Sequence, residues 1–166
     1  MSMEAGGPSA NLKAFLSAIA TFESAVGPEG YTMLYGGGHF SDMRDHPANL
    51  GWRGVRLPVN LCEKANLSAG CVSTAAGRYQ FIRPTWNRLK RMLNLPDFSP
   101  ESQDAAAAQL LIENDALDDV EAGRFVEAIK KVRKVWASMP DAGYGQSEHD
   151  VEKWKLAYAN SGGTFA

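Results

Sequence analysis

The sequence predicts an α+β fold, in which one helix precedes a small antiparallel sheet and several helices follow it. Apolar residues recur at helical spacing near the amino terminus and again after residue 82. The stretch between, about 30–82, is dense in Gly, Pro, Asn and Ser and has no helical period. Its short runs YTMLY and RYQFI are typical of strands.

The first predicted helix starts at a cap, Ser9 or Asn11, and runs to about Ser24. The following GPEG stops it, because Pro28 cannot continue a helix. After the sheet, the segment PTWNRLKRML begins a helix with proline in its first turn.

Three more helices are predicted toward the carboxyl terminus. One has Ser99 as its cap, Pro100 at its first position and acidic residues in its first turn. The next carries one apolar stripe, formed by Phe125, Ile129, Val132 and Trp136. The last begins near Ser147 and stops near Gly162. Helical stripes also place Trp86, Trp136 and Trp154 in the core.

Length and composition favour one domain. Residues 1–8 read as a flexible tail, and 9–166 as a single domain with a β-rich lobe at about 30–82. The chain is 45% hydrophobic and 22% charged, with a formal net charge of −2. These values are typical of a soluble globular protein and give no overall basic signal for nucleic acid.

The amino terminus, MSMEAGGPSANLK, has no charged segment followed by an apolar one, so it does not read as a classical secretory signal. No apolar stretch approaches the ~18 residues of a membrane span. The protein is therefore expected either to work in the cytosol or to leave it by another route.

The two cysteines, Cys62 and Cys71, lie in a loop rich in Gly, Asn and Pro. Their spacing could close a short disulfide in an oxidising compartment. No C-x-x-C pair or nearby histidine completes a zinc site. A disulfide and two free thiols both stay open.

Glu23 ends the first predicted helix, in the stretch AIATFESAVG. At 100° per residue it falls about 20° from Leu12, between Leu16 at about 40° and Ile19 at about 340°. The helix thus directs this carboxyl toward its apolar side and places it near the negative end of the helix dipole. Both effects raise the pKa of a carboxyl. A glutamic acid protonated near neutral pH is a candidate general acid, unless its side chain turns into water at a frayed helix end.

Six fragments, in order along most of the chain, resemble the phage lambda-type endolysins, which are soluble lytic transglycosylases. They are KAFLSAIATFE (13–23), FSDMRDHP (40–47), STAAGRYQF (73–81), DFSPESQDAAA (97–107), WASMPDAGYGQSEH (136–149) and SGGT (161–164). The cysteine loop, GWRGVRLPVNLCEKANLSAGC, departs from the family pattern in composition and length.

The resemblance implies a lysozyme-like fold, with an active-site cleft between a mostly helical lobe and a small antiparallel sheet lobe. It assigns the catalytic glutamate to Glu23. The implied reaction cleaves the β-1,4 bond between N-acetylmuramic acid and N-acetylglucosamine in peptidoglycan. It leaves a 1,6-anhydromuramic product and uses no metal or other cofactor.

The resemblance also implies a phage lysis protein made in the host cytoplasm. It would reach the periplasmic wall after a separate phage protein permeabilises the membrane. The expected partners are peptidoglycan glycan strands, with no nucleic acid and no stable membrane association, and nothing in the sequence requires more than a monomer.

Sugar binding calls for planar amides and aromatic faces. GRYQF offers Tyr79 and Gln80, which strand alternation would place on opposite faces, and Gln80 is the favoured contact. GYGQ offers Tyr144 and Gln146 in a tight loop, and Trp52 could stack on a sugar. The alternative for Gln80 is an ordinary surface glutamine, and the alternative for Tyr144 is a tyrosine that packs a turn.

Three rival functions follow from the same residues. A hydrolytic muramidase would need a second carboxyl, for which Glu29, Asp42 and Asp45 are candidates, although turn capping and pairing with Arg44 are commoner roles for the two aspartates. A metal hydrolase could use the cluster of histidines and aspartates in 39–46, but the H-E-x-x-H spacing of a zinc-binding helix does not occur there. A non-catalytic wall-binding module would not require Glu23.

Overall fold

The computed structural model describes residues 9–136, 138–140 and 148–166. The chain divides into two compact units: the described residues of Met1–Val26 and Ala107–Ala166 form one, and Gly27–Ala106 forms the other. The helices of the described ranges are α1 Ala10–Glu23, α2 Val59–Lys64, α3 Arg83–Leu93, α4 Pro100–Glu113, α5 Leu117–Glu121, α6 Phe125–Val132 and α7 Glu148–Asn160. The strands are β1 Val55–Arg56 and β2 Val72–Ser73.

Helix α1 has the predicted bounds and cap. The Ser9 hydroxyl accepts a hydrogen bond of 3.1 Å from the Leu12 backbone N–H, which satisfies one of the free donors at the helix start. At the other end, the Ser24 backbone N–H donates to the Ala20 carbonyl. The buried residues of α1 are Leu12, Ala14, Phe15, Leu16, Ala18, Ile19 and Ala20. The helix packs on α5 and α7.

Helix α6 is shorter than the sequence predicted. It ends at Val132, with Lys130 and Lys131 in the last turn, where cations favour the negative end of the helix dipole. The predicted apolar stripe is nevertheless buried, and Trp136 joins it from the turn that follows the helix. Trp86 and Trp154 are also buried, as predicted.

Two further predicted helix boundaries are confirmed. The Ser99 hydroxyl accepts from the Ser102 backbone N–H at 3.3 Å, and α4 begins at Pro100. Gly162, just past α7, has a φ of +94°, a left-handed conformation that glycine adopts without steric cost. The start predicted near Ser147 lies outside the described residues.

The stretch predicted as β-rich contains little sheet. The strands β1 and β2 pair antiparallel over two residues each, in register Val55 with Ser73 and Arg56 with Val72. Neither YTMLY nor RYQFI forms the predicted strand, although Met33 and Leu34 make single antiparallel bridges with His39 and Ala76. Tyr31 and Thr32 belong to a 3₁₀ helix that begins at Pro28. In RYQFI, a turn at 77–80 precedes a single bridge at Phe81.

The loop that joins β1 to β2 contains α2, a helix that the sequence did not predict. Pro58 precedes the helix, and Cys62 within it forms a disulfide with Cys71 just before β2. The two Cα atoms are 5.9 Å apart. Of the two states left open for the cysteines, the structure therefore has the disulfide.

Loss of this disulfide is expected to destabilise Gly27–Ala106. The bond closes a loop with a sequence separation of 9, for which the chain-entropy model gives about 2.5 kcal/mol of stabilisation. Adding reductant should therefore lower the melting temperature measured by circular dichroism by several degrees. The Cys62→Ser/Cys71→Ser variant is the control, because reductant should not move its melting temperature. An unchanged melting temperature for the reduced wild type would show that the bond does not stabilise the fold.

A buried glutamine connects three backbone segments of Gly27–Ala106. Gln103 on α4 is fully buried. Its Oε1 accepts from the Arg78 backbone N–H at 2.9 Å, and its Nε2 donates to the carbonyls of Phe98 at 2.8 Å and Tyr31 at 3.1 Å. A Cβ atom at Gly77, where φ is +85°, would lie 2.5 Å from that Oε1. The close approach therefore requires glycine at position 77.

In the described ranges, no helix combines the length and apolar character needed to cross a membrane.

Candidate functional site

Glu23 is the last residue of α1 and lies on its buried side, as the helical wheel predicted. The side chain is partly exposed. Its carboxylate Oε2 accepts a hydrogen bond from the Ser138 hydroxyl, and the Ser138 backbone N–H also donates to the carboxylate. Because α1 ends here, the residue combines a position fixed by a packed helix with access to solvent.

Burial raises the pKa of the Glu23 carboxyl, because the ionised form loses hydration. The two hydrogen bonds from Ser138 act in the opposite direction, since they stabilise the ionised form, but burial dominates. The carboxyl therefore keeps its proton to higher pH than an ordinary glutamate and can still accept a proton after giving it up. These are the properties of a group that serves first as an acid and then as a base.

Trp154 on α7 contacts Ser138 and also Phe22, the residue before Glu23. Its Nε1–H donates to the Ser138 carbonyl at 3.3 Å. Its ring stacks on Phe22, the residue before Glu23, with ring centroids 4.5 Å apart and an interplanar angle of 21°. Trp154 is 1% exposed, so the surrounding core fixes its position. The backbone on each side of the Glu23–Ser138 hydrogen bond is therefore braced by one buried ring.

The aspartates considered as second carboxylates are committed to other partners. Asp42 is exposed and pairs with Arg44 at 2.7 Å, and this hydrogen-bonded pairing lowers the pKa of Asp42. Asp45 is partly buried, which raises its pKa. Donors from Lys90 at 2.9 Å, the His46 backbone and Trp86 outweigh that effect and hold the pKa of Asp45 below its usual range. Both aspartates serve in turns and ion pairs.

Tyr79 and Gln80 occupy a turn and not the predicted strand. Tyr79 is fully buried, and its hydroxyl donates to Asp104 Oδ1 at 2.6 Å. A buried ring cannot stack on a sugar in this conformation. Gln80 is partly exposed, has a φ of +54°, and donates from Nε2 to the Gly77 carbonyl at 2.9 Å. Its predicted substrate contact stays a prediction.

The other predicted sugar contacts stay predictions as well. Trp52 is partly exposed, and its backbone N–H donates to the Pro47 carbonyl at 3.0 Å. Tyr144 and Gln146 lie outside the described residues.

The histidines and aspartates of 39–46, considered as metal ligands, each bond to a different partner. His46 is fully buried, with Nδ1 accepting from the Ala48 backbone N–H and Nε2 facing the Phe81 carbonyl at 2.8 Å. Burial lowers the pKa of His46, because the charged ring loses hydration. His39 Nδ1 lies 3.0 Å from the Thr32 hydroxyl. Across 9–136, 138–140 and 148–166, no group of three or more His, Cys, Asp or Glu side chains is placed to hold a metal ion.

Ser138 is the site residue that the sequence did not reveal. It follows Glu23 by 115 positions and lies in the turn after α6, where no period or cap marks it. The only available signal was its place inside the fragment WASMPDAGYGQSEH, which resembles the endolysins. A single hydroxyl among nonperiodic residues cannot be assigned to a partner so distant in the chain.

Comparison with known proteins identifies the family of the chain. The endolysin family model matches residues 13–165. The endolysin of Escherichia phage P2 is 39% identical over 166 residues, which cover 94% of this chain and 95% of that protein. The endolysin of Escherichia phage lambda is 36% identical over 158 residues, covering 92% and 91% of the two chains.

Solved structures of the bacteriophage lambda lysozyme have the same fold. The one complexed with a chitohexasaccharide superposes with a TM-score of 0.77 at 35% identity, over 96% of this chain and 99% of that chain. A second lambda lysozyme structure gives a TM-score of 0.77 at 34% identity, with the same coverage. The predicted α+β, lysozyme-like fold is confirmed. On the family match and these relatives, the chain belongs to the endolysin family.

Proposed function

We propose that this protein cleaves the β-1,4 bond between N-acetylmuramic acid and N-acetylglucosamine by lytic transglycosylation. Glu23 donates its proton to the bridging oxygen as the bond from that oxygen to the muramic C1 breaks. The muramic O6 then attacks C1, and the Glu23 carboxylate takes up the proton of the O6 hydroxyl. A C1–O6 bond replaces the broken bond, no water is consumed, and Glu23 regains its proton.

The observation that carries this proposal is a single carboxyl with a raised pKa, held by the neutral donor Ser138. As an endolysin, the chain is a peptidoglycan-cleaving enzyme. Hydrolysis normally uses a second carboxylate to attack or to activate water. Of the three candidates for that second carboxylate, Asp42 and Asp45 are each paired with a cation and Glu29 is exposed to solvent. Transglycosylation requires only one acid that then acts as a base.

The glycan strand is the proposed partner, and no metal enters the scheme. The chitohexasaccharide bound to the lambda lysozyme supports a β-1,4-linked aminosugar chain as the ligand class. The substrate must be held so that its own O6 reaches C1, an orientation effect worth several kcal/mol.

We further propose a monomer, made in the host cytoplasm, that acts in the periplasm after another phage protein permeabilises the membrane. The Cys62–Cys71 disulfide suits that oxidising compartment.

Digestion of purified peptidoglycan in ¹⁸O-labelled water tests the reaction type. Mass spectrometry should find anhydromuramic ends, each lighter by one water than a hydrolytic reducing end, and no ¹⁸O in the glycan. The same sacculi digested with a hydrolysing muramidase provide the labelled reference. Reducing ends that carry ¹⁸O would replace the proposal with hydrolysis. Binding to sacculi without clearing of permeabilised cells would instead support a wall-binding module.

A further inference from the structure

Ser138 contacts the carboxylate of Glu23 with two donors, its hydroxyl and its backbone N–H. The hydroxyl donates to Oε2. A carboxyl has two oxygens, and a donor that is fixed at Oε2 limits how the carboxyl can rotate. The contact therefore orients the carboxyl as well as stabilising its charge.

The position of Ser138 is itself fixed. Trp154 donates from Nε1 to the Ser138 carbonyl and stacks on Phe22, so one buried ring links the serine to the residue that precedes Glu23. Four residues thus form a closed ring of contacts, in which each side of the carboxyl–hydroxyl pair is held by the same indole. Such bracing is what a group needs if it must keep one orientation through two proton transfers.

We propose that Ser138 is a positioning residue for Glu23: it orients the carboxyl toward the scissile bond and favours its return from acid to base. This role rests on the proposed transglycosylation. During the first step the hydroxyl stabilises the carboxylate that forms as the proton leaves. During the second step it keeps the carboxylate turned toward the O6 hydroxyl that returns the proton.

No other described charge accounts for the behaviour of Glu23. Helices α5 and α7 pack on α1, and the ring of Phe125 on α6 contacts Phe15 of α1. The described ionisable side chains of these helices, and of the turn that leads to Ser138, are Asp118, Asp119, Glu121, Glu127, Lys130, Lys131, Arg133, Lys134, Glu152, Lys153, Lys155 and Tyr158. None of them contributes to the raised pKa of Glu23, in which burial is opposed, among the described residues, by Ser138. Lys13, near the start of α1, does not contribute either.

The test is the pH dependence of Ser138→Ala with labelled peptidoglycan as substrate. Loss of one hydrogen bond to a charged group should reduce kcat about tenfold at neutral pH and leave KM unchanged. Because the hydroxyl lowers the pKa of Glu23, its removal raises that pKa. The alkaline limb of activity, where the acid loses its proton, should therefore move to higher pH. Ser138→Thr keeps the hydroxyl, so both its kcat and the pH of its alkaline limb should match those of the wild type.

Two further variants separate this role from a general structural one. Thr21→Ala removes an exposed hydroxyl of α1 that donates to the Ser17 carbonyl at 2.8 Å, and it should leave the profile unchanged. Trp154→Phe removes the donor to Ser138 but keeps a ring against Phe22. It should move the alkaline limb in the same direction by a smaller amount, and it serves as the test if Ser138→Ala does not fold.

A profile for Ser138→Ala that superimposes on the wild type, or falls equally at every pH, would overturn the positioning role. A ¹³C NMR titration of the Glu23 side chain gives an activity-independent reading of the same shift. If the wild type yields anhydro products and Glu23→Gln is inactive, such a result defeats only the role of Ser138. If the wild type yields hydrolytic ends, the transglycosylase proposal fails, whatever the Ser138 variants do.

Discussion

Replacing Glu23 with glutamine is expected to slow peptidoglycan cleavage by about 10²–10⁴-fold, the range that a general acid contributes. The amide keeps the size of the side chain and an oxygen that can accept from Ser138, but it has no acidic proton to give. Release of dye from labelled sacculi measures the rate. Glu152→Gln is the matched control, because Glu152 is exposed on α7 and 3.9 Å from Lys155, and it should cleave at the wild-type rate.

The same variant should fold at least as well as the wild type. Folding raises the pKa of Glu23, so ionising this carboxyl destabilises the folded wild type. The loss of stability is absent below the unfolded-state pKa and grows as pH rises toward the folded-state pKa. Glu23→Gln should therefore match the melting temperature of the wild type at about pH 4, near the reference pKa of glutamate, and equal or exceed it at alkaline pH. Retained cleavage would remove Glu23 from the mechanism, whereas a loss of folding would show a structural role.

Replacing Gln103 with alanine is expected to produce the largest loss of stability. Three backbone groups, on Tyr31, Arg78 and Phe98, would lose a buried partner. Unsatisfied groups of this kind cost about 1–3 kcal/mol each, so together with the cavity we expect roughly 4 kcal/mol. For a chain of this size that is a fall in melting temperature of about 8–16 °C. Urea unfolding followed by circular dichroism measures the free energy.

Two companions test the reason for that loss. Gln103→Met restores most of the volume but none of the hydrogen bonds, so it should recover only about 1 kcal/mol, as for a filled cavity. Glu101→Ala, on the exposed side of the same helix, should change stability by less than about 0.5 kcal/mol. A methionine variant as stable as the wild type would show that packing, and not the hydrogen bonds of Gln103, joins these segments.

The sequence predicted those parts of the molecule that depend on near neighbours in the chain. Ser9 and Ser99 cap helices because their hydroxyls reach backbone N–H groups three residues on. The apolar arc of α1 placed Glu23 correctly, since helical geometry alone determines which face a residue occupies. Resemblance to the endolysins then supplied the role that periodicity could not.

The errors arose where distant contacts override local preference. Tyr31 has high strand propensity, yet its carbonyl accepts from Gln103 and its hydroxyl donates to Asp104, two partners on α4. Gln80 reads as a strand residue, yet it turns into the left-handed region and bonds its amide to Gly77. Ser138 could not be paired with Glu23, because nothing local specifies a contact over 115 residues.

The contacts of α1 with the carboxyl-terminal part of the chain have a consequence for synthesis. Asn11 Oδ1 accepts from the Thr164 backbone N–H, 153 residues later, and Ser138 reaches Glu23 across 115. A nascent chain on the ribosome thus carries Glu23 long before Ser138 and Thr164 are made, and until then α1 lacks both of these contacts. We expect fragments that end before residue 138 to be inert toward peptidoglycan, because their Glu23 has no contact with Ser138.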